Sequence, residues 1–334
     1  MSHRQIYGVK CVTIKDVAKK TGYSLSTISK YINGGKVKKR YAENIQQAIE
    51  ELNYKPNYFA KALRSNRSYT IGVLVPALNN LFSMHIVSSM EWELQKSNYC
   101  TIVCDCANDV VFEREKIQFL LEKQVDGLVI QPCSYAGAHI FEVVGPDFPV
   151  ILIDRICNDV DYDAVIVNNF DVSLRATEHL LKSTTKVAII CSENVYTADE
   201  RRKGYLLAHE HKKLLVDERF IKLGNNTING GYQAMKDLWS ESSRPEALFI
   251  TNYEMTIGAM MAINELGINI TTDIAVIGFD SIDLVKIVTP ALTAISQPMS
   301  SIGIEAARQI LKRIKYKHTG SPQKIVLEAT LDIK

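Results

Sequence analysis

Residues 12–35 read VTIKDVAKKTGYSLSTISKYINGG, and this stretch decides how the rest of the chain is understood. Thr13 is placed to cap a first helix over residues 14–21, whose Ile14, Val17 and Ala18 share one face. Gly22 is placed to end that helix. Ser24 is placed to cap a second helix over 25–32, which Asn33-Gly34-Gly35 stops. Two short helices joined by a glycine-containing turn form a device for laying the second helix in a DNA major groove. A third helix is predicted at about 41–52, with Ile45, Ala48, Ile49 and Leu52 at i, i+3, i+4 and i+7. The three apolar stripes suffice to close a small core.

The next stretch, YKPNYFAKALRS at 54–65, has a different character. Pro56 and Asn57 open a helix-like segment over 57–64, with Ala60 and Leu63 on one face. Isolated helices shorter than roughly 12–15 residues are marginal in water. This one is expected to form only where DNA and a partner chain hold it.

Charge supports the same division. Residues 1–67 carry 14 Lys/Arg against 4 Asp/Glu, whereas the remainder carries 25 against 33. The overall net charge of +2 hides this asymmetry. A basic N-terminal module on an acidic body is the footprint of nucleic-acid binding. At 334 residues the chain exceeds one compact core and predicts two or three domains. No apolar run approaches the ~18 residues of a membrane span, and residues 1–11 lack a signal-peptide core. A cytoplasmic protein with reduced thiols is expected. Cys100, Cys104 and Cys106 cluster in YCTIVCDC. A metal site there needs further ligands that the neighbouring sequence does not supply, so these cysteines read as small apolar residues of a buried strand.

From residue 71 onward, apolar strands (IGVLVPA, CTIVCDC, DGLVIQP, PVILIDR, VIVNN, KVAIIC, ALFITN, IAVIGFD) alternate with amphipathic helices. The helices are predicted at about 82–96, 113–123, 174–181, 200–211, 230–239, 256–266 and 303–314. This alternation means parallel sheets covered on both faces, and too many units for one small sheet. Ligands of such sheets sit beyond the carboxyl ends of the strands. The strand-end candidates are Asn79, Asn80, Asp105, Asp154, Arg155, Asn252 and Asp280. No GxGxxG after the first strand, GxxxxGK[ST], GxSxG or HExxH is present, and His209-Glu210-His211 has the wrong spacing for zinc. No enzyme, cofactor or metal is expected.

The chain resembles the LacI/GalR family of bacterial transcription regulators. The head does so in VTIKDVAKKTGYSLSTISKYIN and YKPNYFAKAL. The body does so, in order, in IGVLVPALNNLF, EKQVDGLVI, PVILIDR, RATEHLL, DERRKGY, ITNYEMTIGAM, IAVIGFDSIDL, TPALTAISQP and IGIEAARQIL. The resemblance implies an all-α helix-turn-helix head (12–56, after an extension at 1–11) and a hinge helix with linker (57–67). An α/β two-lobed domain like a periplasmic binding protein (68–334) follows. The implied N-lobe spans about 68–163 and 294–324, and the C-lobe about 164–293 and 325–334.

The resemblance also implies roles. Leu25, Ser26 and Lys30 would face base edges, while Thr13, Ser24, Thr27, Ser29 and Asn33 would cap helices or contact phosphates. Lys30 replaces the family's common Arg and offers one flexible ammonium where Arg forks onto guanine. Leu63 would be a minor-groove wedge, with Asn57 and Ala60 on the same hinge helix. Effector contacts would come from Asn79, Phe82, Asp154, Arg155, Arg201, Asn252 and Asp280. Two departures stand out: Tyr253 replaces an expected Asp, and Ser281 stands where a second Asp is usual. The implied protein is a homodimeric repressor of carbohydrate-utilisation genes. It would bind palindromic operator DNA and be switched by a sugar or sugar phosphate, with no membrane partner. An alternative is a catabolite-control regulator whose co-effector is a phosphorylated carrier protein, for which Arg308 matches one docking residue.

One expectation follows for the hinge. Leu63→Ala should lower operator affinity and DNA bending while leaving effector binding intact. A bending assay with unchanged angle and affinity would remove the wedge role.

Overall fold

The computed structural model describes residues 12–32, 34–54, 67–280, 292–316 and 320–333. Asn33, Asn57, Ala60, Leu63 and Ser281 lie outside them. The chain divides into two units, Met1–Ser68 and Tyr69–Lys334, and each is taken by itself.

The first unit holds α1 (Ile14–Thr21), α2 (Leu25–Ile32) and α3 (Lys39–Glu51). Val17, Ile28 and Ile45, one from each helix, are fully buried against each other, with Ala48 and Tyr54 beside them. Gly22 takes φ +71°, a left-handed conformation that costs glycine nothing, and returns its N–H to the Ala18 carbonyl. That stop lets α2 leave at an angle. Tyr31 and Tyr23 tie the turn to α3 through Gln46 (2.9 Å) and Asn44 (2.9 Å).

The second unit has two six-stranded sheets. The strands are β1 (Thr70–Val75), β2 (Cys100–Asp105), β3 (Gly127–Ile130), β4 (Val150–Ile153), β5 (Asp163–Val167), β6 (Val187–Cys191), β7 (Ile221–Leu223), β8 (Ala247–Ile250), β9 (Ala275–Phe279), β10 (Thr293–Ser296), β11 (Lys324–Leu327) and β12 (Thr330–Asp332). One sheet has the order β11-β5-β4-β3-β1-β2, the other β12-β10-β9-β8-β6-β7. All pairs are parallel except β10–β12. The helices covering them are α4 (Leu81–Gln95), α5 (Val110–Glu122), α6 (Ala138–Val144), α7 (Asn169–Leu180), α8 (Tyr196–His211), α9 (Ile228–Ser240), α10 (Tyr253–Glu265) and α11 (Met299–Tyr316). Each sheet separates two apolar layers, so its central strands are buried on both faces. The helix pairs α4–α11 and α9–α10 approach closely because Gly303 and Gly258 lie at the crossings. A Cβ at Gly303 would sit 2.3 Å from the Ile86 carbonyl oxygen, and one at Gly258 1.8 Å from that of Ile228.

The crossovers between lobes fall later than expected. β5 runs to Val167 and β11 from Lys324 to Leu327 in the first sheet, whereas β10, from Thr293 to Ser296, belongs to the second. The chain therefore changes lobe near Asn168, Gln297 and Glu328, each a strand's length beyond the expected boundaries at 163/164, 293/294 and 324/325. The reason is that each strand completes its ladder before crossing. Two crossovers are then pinned together: Asn168 donates to Glu328 and accepts from the Ala329 N–H (2.8 Å).

Several helices begin before their apolar periodicity does, at 81, 110, 228 and 253 where 82, 113, 230 and 256 were expected. Asn80, Asp109, Thr227 and Asn252 cap them, each accepting a first-turn backbone N–H. The first residues of these turns, among them Leu81, Val111, Phe112 and Ile228, face water and so fall off the apolar stripe. Helix α6 was not anticipated at all, because seven residues are too few to display a period.

Candidate functional site

Helix α2 presents Leu25, Ser26 and Lys30 on its outer face while Ile28 anchors the opposite face. Leu25 is 45% exposed, an apolar side chain left in water beside two polar ones. Ser24 accepts the Thr27 backbone N–H (3.2 Å), and its hydroxyl contacts those of Ser26 (2.8 Å) and Thr27 (2.9 Å). Hydroxyls thus gather at the N-terminus of α2, where free N–H groups and the helix dipole favour a phosphate. Thr13 donates its backbone N–H and its hydroxyl to Asp16 at the start of α1 (2.8 and 2.7 Å). At the far end, the Gly35 N–H returns to the Lys30 carbonyl (2.8 Å), and a Cβ there would lie 2.9 Å from that oxygen.

In the second unit a cavity of about 320 Å³ opens between the two lobes. Phe82, His85 and Tyr253 line it with rings, and Asp280, Gln297, Ser300 and Ser301 add polar groups beside Pro298 and Met299. Its size falls at the lower end of small-molecule sites. Asp280 ends β9 with φ +57°, and Asp154 ends β4 with φ +64°. Aspartate tolerates this left-handed conformation better than most residues. The two lobes repeat the device: the Asp154 N–H bonds the Val165 carbonyl and the Asp280 N–H bonds that of Ile295, each across to the next strand (2.9 Å both).

Asp280 accepts two bonds from the Gln297 amide, both 2.9 Å. Burial pushes its carboxyl up to about 7, against the pull of Arg201 and Gln297 and with the help of Asp154 and Glu254. Arg201, from α8, is buried beneath. Its Nε donates to Asn169 (2.8 Å), its Nη1 to the Thr251 carbonyl (2.6 Å), and its plane lies 3.5 Å from the Phe279 ring centre. Burial lowers its proton affinity, while Asp280 and Asp154 restore some. Asp154 accepts from Gln131 (2.8 Å), yet its other oxygen is buried without a hydrogen-bond partner, as is Oε1 of Gln297. Arg155 donates to the Pro132 carbonyl (3.0 Å).

The predicted residues therefore divide. Phe82 and Asp280 line the cavity, Arg201 supports its floor, and Asp154 and Arg155 lie at the neighbouring strand end. Asn252 is instead occupied in capping α10 and bonding Asn226 (2.9 Å). Asn79 is exposed, and its neighbour Asn80 does the work: it caps α4 and donates to Glu254 on α10. The carboxylate expected at 253 is thus supplied one residue later, and it reaches across the cleft. Tyr135, donating to Asp199 (2.7 Å), is a second bridge between lobes. Gln131 and Gln297 were missed. Both follow strand ends directly, so the rule that found the aspartates applies to them too.

Residues 68–331 match the family described as periplasmic binding proteins and sugar binding domain of LacI family, and residues 13–57 match bacterial regulatory proteins, lacI family. The chain belongs to the LacI family, whose members are non-enzymatic DNA-binding transcriptional regulators. It is 33% identical over 307 residues to the ribose operon repressor of Escherichia coli (strain K12), covering 90% of this chain and 93% of that one. It is 31% identical over 326 residues to the HTH-type transcriptional repressor PurR of Haemophilus influenzae (strain PittEE), covering 96% of each. A solved LacI family transcriptional regulator from Enterococcus faecium with bound ribose superposes with a TM-score of 0.71 at 27% identity, over 79% of this chain and 97% of that one. Among the described residues no helix is long and apolar enough to cross a membrane.

The raised Asp280 has a measurable consequence. From about pH 4, where an unfolded aspartate loses its proton, to about pH 7, the folded chain keeps one that the unfolded chain has released. This group's contribution therefore becomes less favourable as pH rises through that window and is fully unfavourable above it. Asp280→Asn should match the wild type in melting temperature near pH 4 and exceed it most at pH 7.5. A difference independent of pH would contradict the assignment.

Proposed function

We propose that this chain is a ligand-switched repressor. It acts as a homodimer whose two heads read a palindromic operator and whose interlobe cavity binds a small polyhydroxylated effector, a pentose being the first candidate. The observation that carries the reading is the cavity: three rings beside a half-buried carboxylate that Gln297 holds. Ring faces suit the apolar face of a sugar, and the carboxylate and neighbouring polar groups suit its hydroxyls. The ribose named for two of the related proteins supports the same class.

In this reading Leu25, Ser26 and Lys30 meet base edges. Thr13, Ser24, Thr27, Ser29 and Asn33 meet phosphates or hold helix ends, and the hinge segment with Asn57, Ala60 and Leu63 enters the minor groove. Phe82, Asp280 and Arg201, backed by Asp154 and Arg155, serve the effector. Closure of the lobes on the effector biases a hinge helix too short to stand alone, so a few kcal/mol suffice to switch it. The phosphocarrier alternative rests on Arg308 alone, which is exposed and pairs at the surface with Glu93 on the adjoining helix (3.1 Å).

The test uses the full chain on a duplex selected from a random pool, titrated with pentoses, hexoses and their phosphates. One of these should shift operator affinity about tenfold or more, or 1.4 kcal/mol. Asp280→Asn and Phe82→Ala should abolish the shift yet still bind DNA. If no sugar acts while a phosphorylated carrier protein does, and Arg308→Ala removes its effect, the cavity reading fails.

A further inference from the structure

The first sheet holds a cluster that DNA binding and the cleft do not use. Cys106, just past the end of β2, Cys133, just past β3, and Glu113, in the first turn of α5, are all buried. Their thiol and carboxylate atoms lie within 4.8 Å of one another. Glu113 is wholly inaccessible to water: one carboxylate oxygen accepts the Cys133 N–H (3.1 Å) and the other meets His139 Nε2 on α6 (2.7 Å). The sequence showed only the Cys100–Cys104–Cys106 run. Cys104 packs against the same apolar layer as Cys106, while the fold brings to Cys106 the carboxylate of Glu113 from the following helix and Cys133 from farther along the chain.

A core of small apolar residues does not call for a carboxylate, and burying one is costly unless it is paired. Two thiols, a carboxylate and an imidazole converging from four elements suit a borderline-soft metal. We propose that Cys106, Cys133 and Glu113 form a binding site for one zinc ion, with His139 orienting Glu113 from the far side. Zinc–sulfur bonds of ~2.3 Å and a zinc–oxygen bond of ~2.0–2.2 Å require ligand atoms somewhat under 4 Å apart, so closing from the present spacing needs movements of under about 1 Å. Thiolates select zinc over the hard cations that take oxygen ligands. A carboxylate ligand whose second oxygen meets a histidine is the reciprocal of a common outer-shell arrangement in zinc sites.

Two S–H protons leave to solvent as two metal–sulfur bonds form. The Cys106 thiol now donates only a weak bond, to the Val75 carbonyl (3.4 Å), which a metal–sulfur bond would replace. Cys133 follows Gln131 and Pro132, which bond Asp154 and Arg155 at the end of β4.

The test begins with full-length protein, reduced and stripped with a chelator, then titrated with cobalt(II) and afterwards zinc. One equivalent of cobalt should give near-ultraviolet thiolate-to-metal absorption, and zinc should bleach it. Cys106→Ser and Cys133→Ser should each lose the absorption. Glu113→Gln should weaken affinity about tenfold or more, by analogy with disrupted metal sites, and Cys104→Ser should leave it unchanged. If the serine variants do not fold, alkylation of the wild-type thiols decides: zinc should protect Cys106 and Cys133 selectively. The proposal is overturned by absence of stoichiometric absorption, by absorption that survives in the folded double serine variant, by equal alkylation with and without zinc, or by a Cys106–Cys133 disulfide that forms while the reduced protein takes up no metal.

Discussion

The Arg201 guanidinium constrains everything around the cleft. A cation removed from water is expensive unless its donors are satisfied, and here they are satisfied by parts of the fold that must stay in place. Asn169 opens α7, Thr251 follows β8, and Phe279 closes β9, so one side chain fixes three elements of the second sheet. Its field also sets the balance at Asp280, which without it would be a carboxylate raised still further by burial. The cavity floor is thus a preorganised patch of charge before any ligand arrives.

That patch is built from only one lobe's helices, but its walls come from both. Phe82 and His85 belong to α4 over the first sheet, Tyr253 and Asp280 to the second, and Gln297 to a crossover. A ligand touching all of them has more contacts when the lobes are together than apart. It therefore has the differential affinity that any conformational switch requires. The Asn80–Glu254 and Tyr135–Asp199 bonds draw the same two lobes together. The head is a different kind of object: its three helices close around Val17, Ile28 and Ile45, and its functional face is the surface that this core leaves over.

Much of this was legible in the sequence because it is local. Strand and helix periods gave the two sheets and the three-helix head, and strand-end position gave Asp154 and Asp280. What escaped depended on geometry that periodicity does not encode. Asn79 and Asn80 are adjacent in sequence, but only the second stands at the helix cap facing Glu254. Asn252 was correctly placed at a strand end, and the helix it starts then consumes its side chain. The lobe crossings came from the family resemblance and not from pattern, and they fall later because ladder pairing carries β5, β10 and β11 past those bounds. Cys133 was invisible beside Cys106 because parallel sheet order brings it there, and Glu113 because the turn into α5 folds it back over the strand end.

The central claim is that movement of the two lobes carries the signal from cavity to operator. Asn80→Cys with Glu254→Cys, in a chain also carrying Cys100→Ser and Cys104→Ser, puts one thiol on each lobe for a bismaleimide lock with a reducible disulfide core, long enough to span the gap that the shorter side chains leave. With the lock reduced, D-ribose or whichever sugar emerges from the titration should still change operator affinity, although the native Asn80–Glu254 bond is gone. With the lock oxidised, operator affinity should become fixed and the sugar response should vanish, returning on reduction. An oxidised, locked protein whose operator affinity still responds fully to the sugar would contradict the account.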